Sequence, residues 1–570
     1  MRLIFDIETD GIEATKVHCI VARDADTGEV RSFGPSQIKE GCDWLSRADM
    51  LIGHNIQSYD LPVLCRLGYR VLARSVRDTL ICSRLIWPDV QQDDWARTSS
   101  GFPKNMVGRH SLAAWGYRLG IRKDSWGETT DWSAYSDEML AYCVRDTEVT
   151  LALWRAIQGE QPDERSIDIE HRFAAVMHEM TNAGFAFDRD AASRLCSTLM
   201  ERREELRVTL EERFGPTVIK LKTKVKERPF CPSSRMDIAA GLRRLHGWEP
   251  TAFTADGRVK VDEAVLTALP YPEAKSLLEY LTVVKRLGQI AEGDEAWMKL
   301  VSADGRIRGR VNANGAVTGR CTHSKPNMAQ VPSSRSLYGA ECRACFVPQQ
   351  GWCLVGADAS ALELRCLAHY MAQWDGGAYA REVCDGDIHT VNQKAAGLKS
   401  RDDAKVFIYS FLYGAGDGKI GSIVGGDWKA GKKLKTQFLK RTPALKQLRD
   451  RVQQAAKERG WLVGLDGRRL PVRSPHSALN LLLQSAGAVA MKVATVIMVE
   501  ELSNANIRWG RDYRLVAHIH DEIQIECDRG LASEIGCVAV DAFRLAGERL
   551  NMRCPLAGEW RSGLSWAETH

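Results

Sequence analysis

Residues 401–416 read Arg-Asp-Asp-Ala-Lys-Val-Phe-Ile-Tyr-Ser-Phe-Leu-Tyr-Gly-Ala-Gly. Arg401, Lys405, Tyr409 and Tyr413 fall at i, i+4, i+8 and i+12. In a helix of 3.6 residues per turn, steps of four place all four side chains on one slowly drifting stripe. Two cations followed by two phenols make a surface suited to a polyanion joined to flat rings, as in a nucleoside triphosphate. Phe407, Ile408, Phe411 and Leu412 lie off the stripe and can pack inward, and Gly414 and Gly416 end the helix. Taken alone, the stretch is also compatible with an amphipathic helix whose basic end is simply solvated.

The surrounding chain narrows that choice. Its 570 residues suffice for several domains with real cores, and 44% hydrophobic and 26% charged residues are globular values. A net charge of +5 is mild, so any nucleic-acid footprint must come from local clusters. The 16 cysteines are dispersed, as suits a reducing cytoplasm, and the close pair Cys342 and Cys345 has no second pair at zinc spacing. Acids at Asp6 and Glu8 interrupt the first apolar run, so it is not a signal peptide, and no apolar run reaches about 18 residues.

The chain opens on a strand, residues 2–10, in which Asp6 and Glu8 point to the same face. Such a pair asks for a cation unless the strand is a solvated edge. Leu51-Ile-Gly-His-Asn-Ile-Gln-Ser-Tyr-Asp60 then places Asp60 near a helix start, and a helix capped by Ser136 carries Tyr142 and Asp146 on one face. Four carboxylates and a tyrosine suit two metals about 4 Å apart that activate a water against a phosphodiester. This assembly resembles the DnaQ-like (DEDDy) 3′–5′ exonucleases, with Asp6, Glu8, Asp60 and Asp146 as metal ligands and Tyr142 orienting the water.

Residues 166–187 and 190–214 read as two helices. Lys220, Lys222, Lys224, Lys226 and Arg228 alternate, and in an extended ribbon all five would share a face, either contacting phosphates or protecting an edge strand. Further on, "GAVTGR" (315–320), "PNMAQVP" (326–332), "DASALELRCLAH" (358–369), "GDIHT" (386–390), "AKVFIYSFLYGAG" (404–416), "RSPHSALNLLLQSAGA" (473–488) and "HIHDEIQ" (518–524) follow one another. Their order resembles that of the A-family DNA polymerases, and the likeness is greatest to phage replicative enzymes that recruit host thioredoxin. Those enzymes carry a long thumb insertion for thioredoxin. The roughly 20 residues between Phe214 and Arg235 leave no room for one, so thioredoxin is not an expected partner.

Trp352–Asp358 reads as a strand ending on an acid, and Leu515–Ile525 as one central strand bearing Asp521 and Glu522. Asp358 and Asp521 are the expected bridging ligands of two Mg²⁺ per site, with Mn²⁺ as a substitute. The resemblance adds the Ala359 carbonyl as a ligand, with Glu522 secondary. Arg401, Lys405 and His389 would neutralise the triphosphate, Lys405 would protonate the leaving pyrophosphate, Tyr409 would lie against the sugar, and Tyr413 would hold the templating position until the fingers close. By resemblance, Glu363 packs with Tyr409 and excludes a 2′-hydroxyl, and Arg320, Gln484 and His520 read the minor groove of the nascent pair. A histidine near the C-terminus, here His570, belongs near that site.

The expected fold is α/β and α+β multidomain. An RNase H-like 3′–5′ exonuclease domain (1–160) precedes a right-hand polymerase: connector, thumb and start of palm (161–345), palm (346–385 and 476–570) and fingers (386–475). The expected function is template-directed DNA synthesis with proofreading. Primer-template DNA and dNTPs are the expected partners, together with a phage helicase, primase and single-strand binding protein, in the cytoplasm of a bacterial host and away from membranes. The competing readings are a single-subunit RNA polymerase, and a replication-accessory protein or exonuclease with an inactive polymerase fold.

Overall fold

The computed structural model describes every residue except 122–130, 221–224 and 255. Lys222 and Lys224 lie outside the described residues, as does the side chain of Lys220.

The N-terminal part is a mixed sheet of β1 (Arg2–Thr9), β2 (Val17–Asp24), β3 (Val30–Phe33), β4 (Met50–Gly53) and β5 (Ser75–Asp78), in the order β3-β2-β1-β4-β5. β1 runs antiparallel to β2 and parallel to β4. Apolar residues of β1 and β2 alternate between two cores: Leu3, Phe5 and Ile7 pack on one face with Ile20 and Ala22, and Ile4 packs on the other with Ile52 and Trp154. Helix α1 (Asp60–Arg66) follows β4. Helix α2 (Asp137–Gly159) starts where Ser136 accepts a hydrogen bond from the Met139 amide, with Asp137 and Glu138 in the first turn.

Helix α3 (Glu164–Ala183) leads to the 26-residue α4 (Arg189–Phe214). α4 shares a core with the helix Pro272–Leu287 through Leu195, Leu199, Leu206, Leu277 and Tyr280. β6 (Thr217–Lys220) and β7 (Val225–Arg228) pair antiparallel, with Lys220 opposite Val225. These are two paired strands and not one continuous strand: Lys220 lies on β6, Lys226 and Arg228 lie on β7, and Arg228 is paired with the buried Asp237 at 2.7 Å.

The C-terminal half is built on the antiparallel sheet β9-β10-β8-β11, from β8 (Trp352–Ala359), β9 (Tyr513–Ile519), β10 (Glu522–Asp528) and β11 (Gly558–Gly563). The expected single strand 515–525 is in fact the hairpin β9–β10, turning at His520 and Asp521. Helices α5 (Leu362–Asp375), α6 (Ile388–Ala396), α7 (Arg401–Leu412), α8 (Trp428–Arg441), α9 (Ala478–Asn504) and α10 (Ala532–Arg549) surround it. Among the described residues the segment Pro475–Asn504 alone is long and apolar enough to cross a membrane, and 89% of its apolar window is buried as a core helix. Cys342 and Cys345 are ordinary buried thiols, and the Cys345 thiol donates to the Glu341 carbonyl.

Candidate active sites

The β9–β10 hairpin and β8 bring the acids together. In register, Asp358 stands opposite Glu522 on one side and Glu559 on the other. The Ala359 amide donates to the Asp521 carbonyl at 2.9 Å, which seats the hairpin turn beside the end of β8. Two non-glycine residues adopt left-handed backbone there, Ala361 (φ 50°) and His520 (φ 56°). Ala361 is the N-cap of α5, which starts at Leu362. Backbone strain of this kind persists only where surrounding structure enforces it, and it clusters at functional sites.

Like charges so close are costly. Burial, then Asp521, Glu522 and Glu559, push the Asp358 carboxyl up to about 7. Asp521, on the turn, is exposed. Glu522 is held from inside: the Trp566 indole donates to it, Gln524 Nε2 donates at 2.8 Å, and Arg343 lies at 3.6 Å. His570 Nδ1 sits 3.3 Å from Glu522 and 3.9 Å from Asp358, so the C-terminal histidine reaches the acids. Gly356 makes this possible, because a Cβ there would run into the Thr569 carbonyl.

α7 faces these acids across a cleft lined by Arg320, Asp358, Ala359, Glu363, Tyr409 and Asp521, among others. Phe407, Ile408, Phe411 and Leu412 are buried, and the stripe of Arg401, Lys405, Tyr409 and Tyr413 is outward, as its spacing predicts. Ser400 caps the helix through the Asp403 amide. Arg401 pairs with Asp387 at 2.9 Å, a half-exposed contact that an anionic ligand could replace. His389 is on α6 beside them, its pKa lowered by burial and by Arg401 and Lys405. Glu363 lines the same cleft as Tyr409. It accepts from the Tyr413 hydroxyl at 2.6 Å and from Arg320 at 3.2 Å, with no hydrogen bond from Tyr409 among the described residues. The two rings lie 6.4 Å apart, and the turn of α7 that ends in Tyr413 brings its hydroxyl, not that of Tyr409, to the carboxylate. His520 and Arg320 line the same cleft, and Gln484 is half-buried on α9.

The N-terminal acids converge as well. Asp60 accepts from the Ile7 amide at 3.2 Å, which places it on β1 between Asp6 and Glu8. Glu8, Asp60 and Asp146 are buried, and Asp6 and Tyr142 are half-buried. Burial, then Asp78 and Asp146, push Asp60 up to about 7. Two neighbours escaped the sequence reading. Cys143 donates its thiol to Asp6 Oδ2 at 3.6 Å, and its place beside Tyr142 on α2 was the available signal. Asp78 is a buried carboxylate that accepts from the amides of Asn55, Gln57 and Leu80, and its place as an N-cap before the helix Thr79–Ile86 was the available signal.

Oxygen-rich acid clusters with raised proton affinity fit hard divalent cations. Both clusters meet that test by their donor sets.

The sequence pattern of DNA polymerase family A matches residues 200–568. The chain is 37% identical, over all of both chains, to the DNA-directed DNA polymerases of Enterobacteria phage T3 and of Escherichia phage T7. Its fold resembles the POL domain of Pol1 from M. smegmatis, solved with DNA primer-template and dNTP, at TM-score 0.78 and 19% identity over 100% of this chain and 96% of that one.

Proposed function

The chain belongs to DNA polymerase family A and is a DNA-directed DNA polymerase of the phage type, and on that premise we propose that synthesis occurs in the cleft between Asp358, Asp521 and α7, and 3′–5′ proofreading at Asp6, Glu8, Asp60 and Asp146. The observation that carries the proposal is the convergence on one cleft of Asp358, Asp521, Glu363 and Arg320 with Lys405, Tyr409 and Tyr413 of the α7 stripe.

Asp358, Asp521 and the Ala359 carbonyl would hold Mg²⁺ in the palm, and the four N-terminal carboxylates would hold it in the exonuclease; the bound ions supply an activated hydroxyl or water and charge neutralisation at the reacting phosphate. Glu522 stays tied to Trp566, Gln524 and Arg343 and so orients Asp358 from the side. Arg401 exchanges Asp387 for the triphosphate, and Lys405, one turn on, is placed to give a proton to the leaving pyrophosphate. Tyr413 leaves Glu363 when the fingers close, and Glu363 then meets the sugar edge and rejects a 2′-hydroxyl. Arg320, Gln484 and His520 address minor-groove acceptors that are common to correct pairs. In the exonuclease, Tyr142 positions the attacking water.

The domain division 1–160, 161–345, 346–385, 386–475 and 476–570 is carried forward as part of this reading, with an RNase H-like first domain. The chain acts on primer-template DNA with dNTPs, beside a phage helicase, primase and single-strand binding protein in a bacterial host. It works without thioredoxin: the alignment to the T7 polymerase runs over 704 positions against 570 residues here, so on the order of 130 positions of that relative face gaps.

Primer extension with Mg²⁺ tests the two sites together. Wild type should extend with dNTPs and shorten the primer without them. Asp521→Ala should lose only extension, and Asp6→Ala/Glu8→Ala only shortening. Wild-type extension by Asp521→Ala would remove the palm assignment.

A further inference from the structure

Helix α8 reads Trp-Lys-Ala-Gly-Lys-Lys-Leu-Lys-Thr-Gln-Phe-Leu-Lys-Arg, six cations and no acid. Its inner face is apolar: Leu434, Phe438 and Leu439 are buried, and Phe438 meets the rings of Phe407 and Phe411 on the back of α7. Its outer face carries Lys429, Lys432, Lys433, Thr436 and Lys440, all exposed and spaced i, i+3, i+4, i+7 and i+11. Among the described residues none of these lysines has a carboxylate within ion-pair reach. The buried-side Lys435 is the exception on this helix, held by Asp417 at 2.9 Å.

A helix so arranged works against itself. Lys429 and Lys433 repel at i, i+4, and cations in the first turn oppose the helix dipole. α4 shows the ordinary solution for a long charged helix, where Arg207 is neutralised by Glu204 and Glu211. Nothing of that kind offsets the α8 stripe. At the head of the stripe Trp428 is 55% exposed, an apolar surface that folding leaves in water. The stripe is also rigidly mounted. Gly431 and Gly421 have no space for a Cβ against the carbonyls of Asp417 and Asp427, and Lys435 ties α8 to the Ala415 carbonyl, two residues past Tyr413.

We propose that Trp428 and the lysine stripe of α8 bind the unpaired template strand before it reaches the synthesis cleft. An exposed indole followed by a line of cations is the chemistry of single-strand binding, in which bases stack on the ring and phosphates follow the charges. The stripe from Lys429 to Lys440 spans about 16 Å at 1.5 Å per residue, the reach of four or five phosphates in a stacked strand. Duplex would leave Trp428 without a base face to stack on. The inference rests on the polymerase reading, because it needs a template strand with an unpaired 5′ part.

The test uses the full chain and fluorescent primer-templates whose single-stranded template overhang is either about two or about twelve nucleotides, bracketing the span of the stripe. Binding is measured in EDTA, so neither site turns over, across a salt series. Lys432→Ala/Lys433→Ala/Lys440→Ala should weaken binding of the long overhang several-fold. It should also flatten its salt dependence by about 2, at roughly 0.7 per lost phosphate contact. The short overhang should bind as to wild type. Trp428→Ala should lose about fivefold or more on the long overhang, and oligo(dT) should quench the emission that distinguishes wild type from Trp428→Phe. Equal effects on both overhangs, or none, overturn the proposal. So does equal quenching by polyglutamate, which would assign the stripe to an acidic protein segment. If the wild type fails to extend any primer, the polymerase reading itself falls; extension with overhang-independent binding removes only this inference.

Discussion

Asp60→Asn separates charge from shape in the N-terminal site. The amide keeps an oxygen for the Ile7 amide, now 3.2 Å from Asp60, and removes the charge. Asp60 in the folded protein holds its proton up to about 7, against 3.8 for an ordinary aspartate, because it is buried and faces Asp78 and Asp146. A folded pKa above the unfolded one means that the carboxyl is best tolerated protonated. Its stabilising proton is fully bound below about pH 4 in both states and is lost as pH rises through about 7. At pH 8 without divalent metal the wild-type carboxylate therefore costs about 3 pH units, or roughly 4 kcal/mol at 1.36 kcal/mol per unit. Relaxation around the site reduces that to about 2 kcal/mol. Asp60→Asn should accordingly melt several degrees above wild type at pH 8 in EDTA, at roughly 2–4 °C per kcal/mol for a domain of this size. The gap should shrink steadily as pH falls toward 4. With saturating Mg²⁺ the order should reverse, since only wild type gains a fourth ligand, and shortening of the primer should be lost throughout. A thermal melt followed in the four conditions decides it. If the variant melts below wild type by the same amount at pH 8 and pH 5, Asp60 is no uncompensated charge, and the argument for a cation at this cluster fails with it.

Tyr409→Phe removes the hydroxyl that the proposal sets against the sugar and should raise discrimination against dideoxynucleotides by roughly tenfold or more, the worth of about one hydrogen bond; competition of ddNTP with dNTP in primer extension reads it. Arg228→Ala strips an ion pair from Asp237, which keeps its bonds from Ser234 and Cys231, and should lower thumb stability by about 1–2 kcal/mol while leaving the salt dependence of DNA binding as in wild type. A change in that salt slope would return Arg228 to the DNA interface. Added thioredoxin should leave product length on a long primed template within about twofold; a large gain would mean that a thioredoxin contact exists elsewhere on the chain.

Much of both sites was legible because helical periodicity and capping are local. The α7 stripe needs only four positions and a period, and Ser136 announces a helix start by chemistry that acts within three residues. The hairpin at Asp521 was not legible for the opposite reason. Ile519-His-Asp-Glu522 contains no glycine or asparagine, and the apolar flanks run on through the turn as they would in one strand. The left-handed conformation falls on His520, a residue that sequence rules do not single out there. Tertiary neighbours were equally hidden. Glu363 takes Tyr413 because of how α7 is seated, Cys143 meets Asp6 across 137 residues of sequence, and Asp78 gathers amides from Asn55 and Gln57 as well as from Leu80 of its own segment.

These hidden features share one physical character. In each site a carboxyl has been pushed up to about 7, first by burial and then by its own kind, Asp358 by Asp521, Glu522 and Glu559, and Asp60 by Asp78 and Asp146. Beside the palm acids the backbone is held left-handed at Ala361 and His520. The hydrogen bond from Ala359 to the Asp521 carbonyl and the register of Asp358 on Glu522 fix the backbone that carries these acids. The sheet thus holds mutually repelling oxygens in place, and only ligands of opposite charge remove the conflict. Replacing such an acid with its amide should make the protein sturdier and inert, which is the trade expected of residues kept for chemistry at a cost in stability.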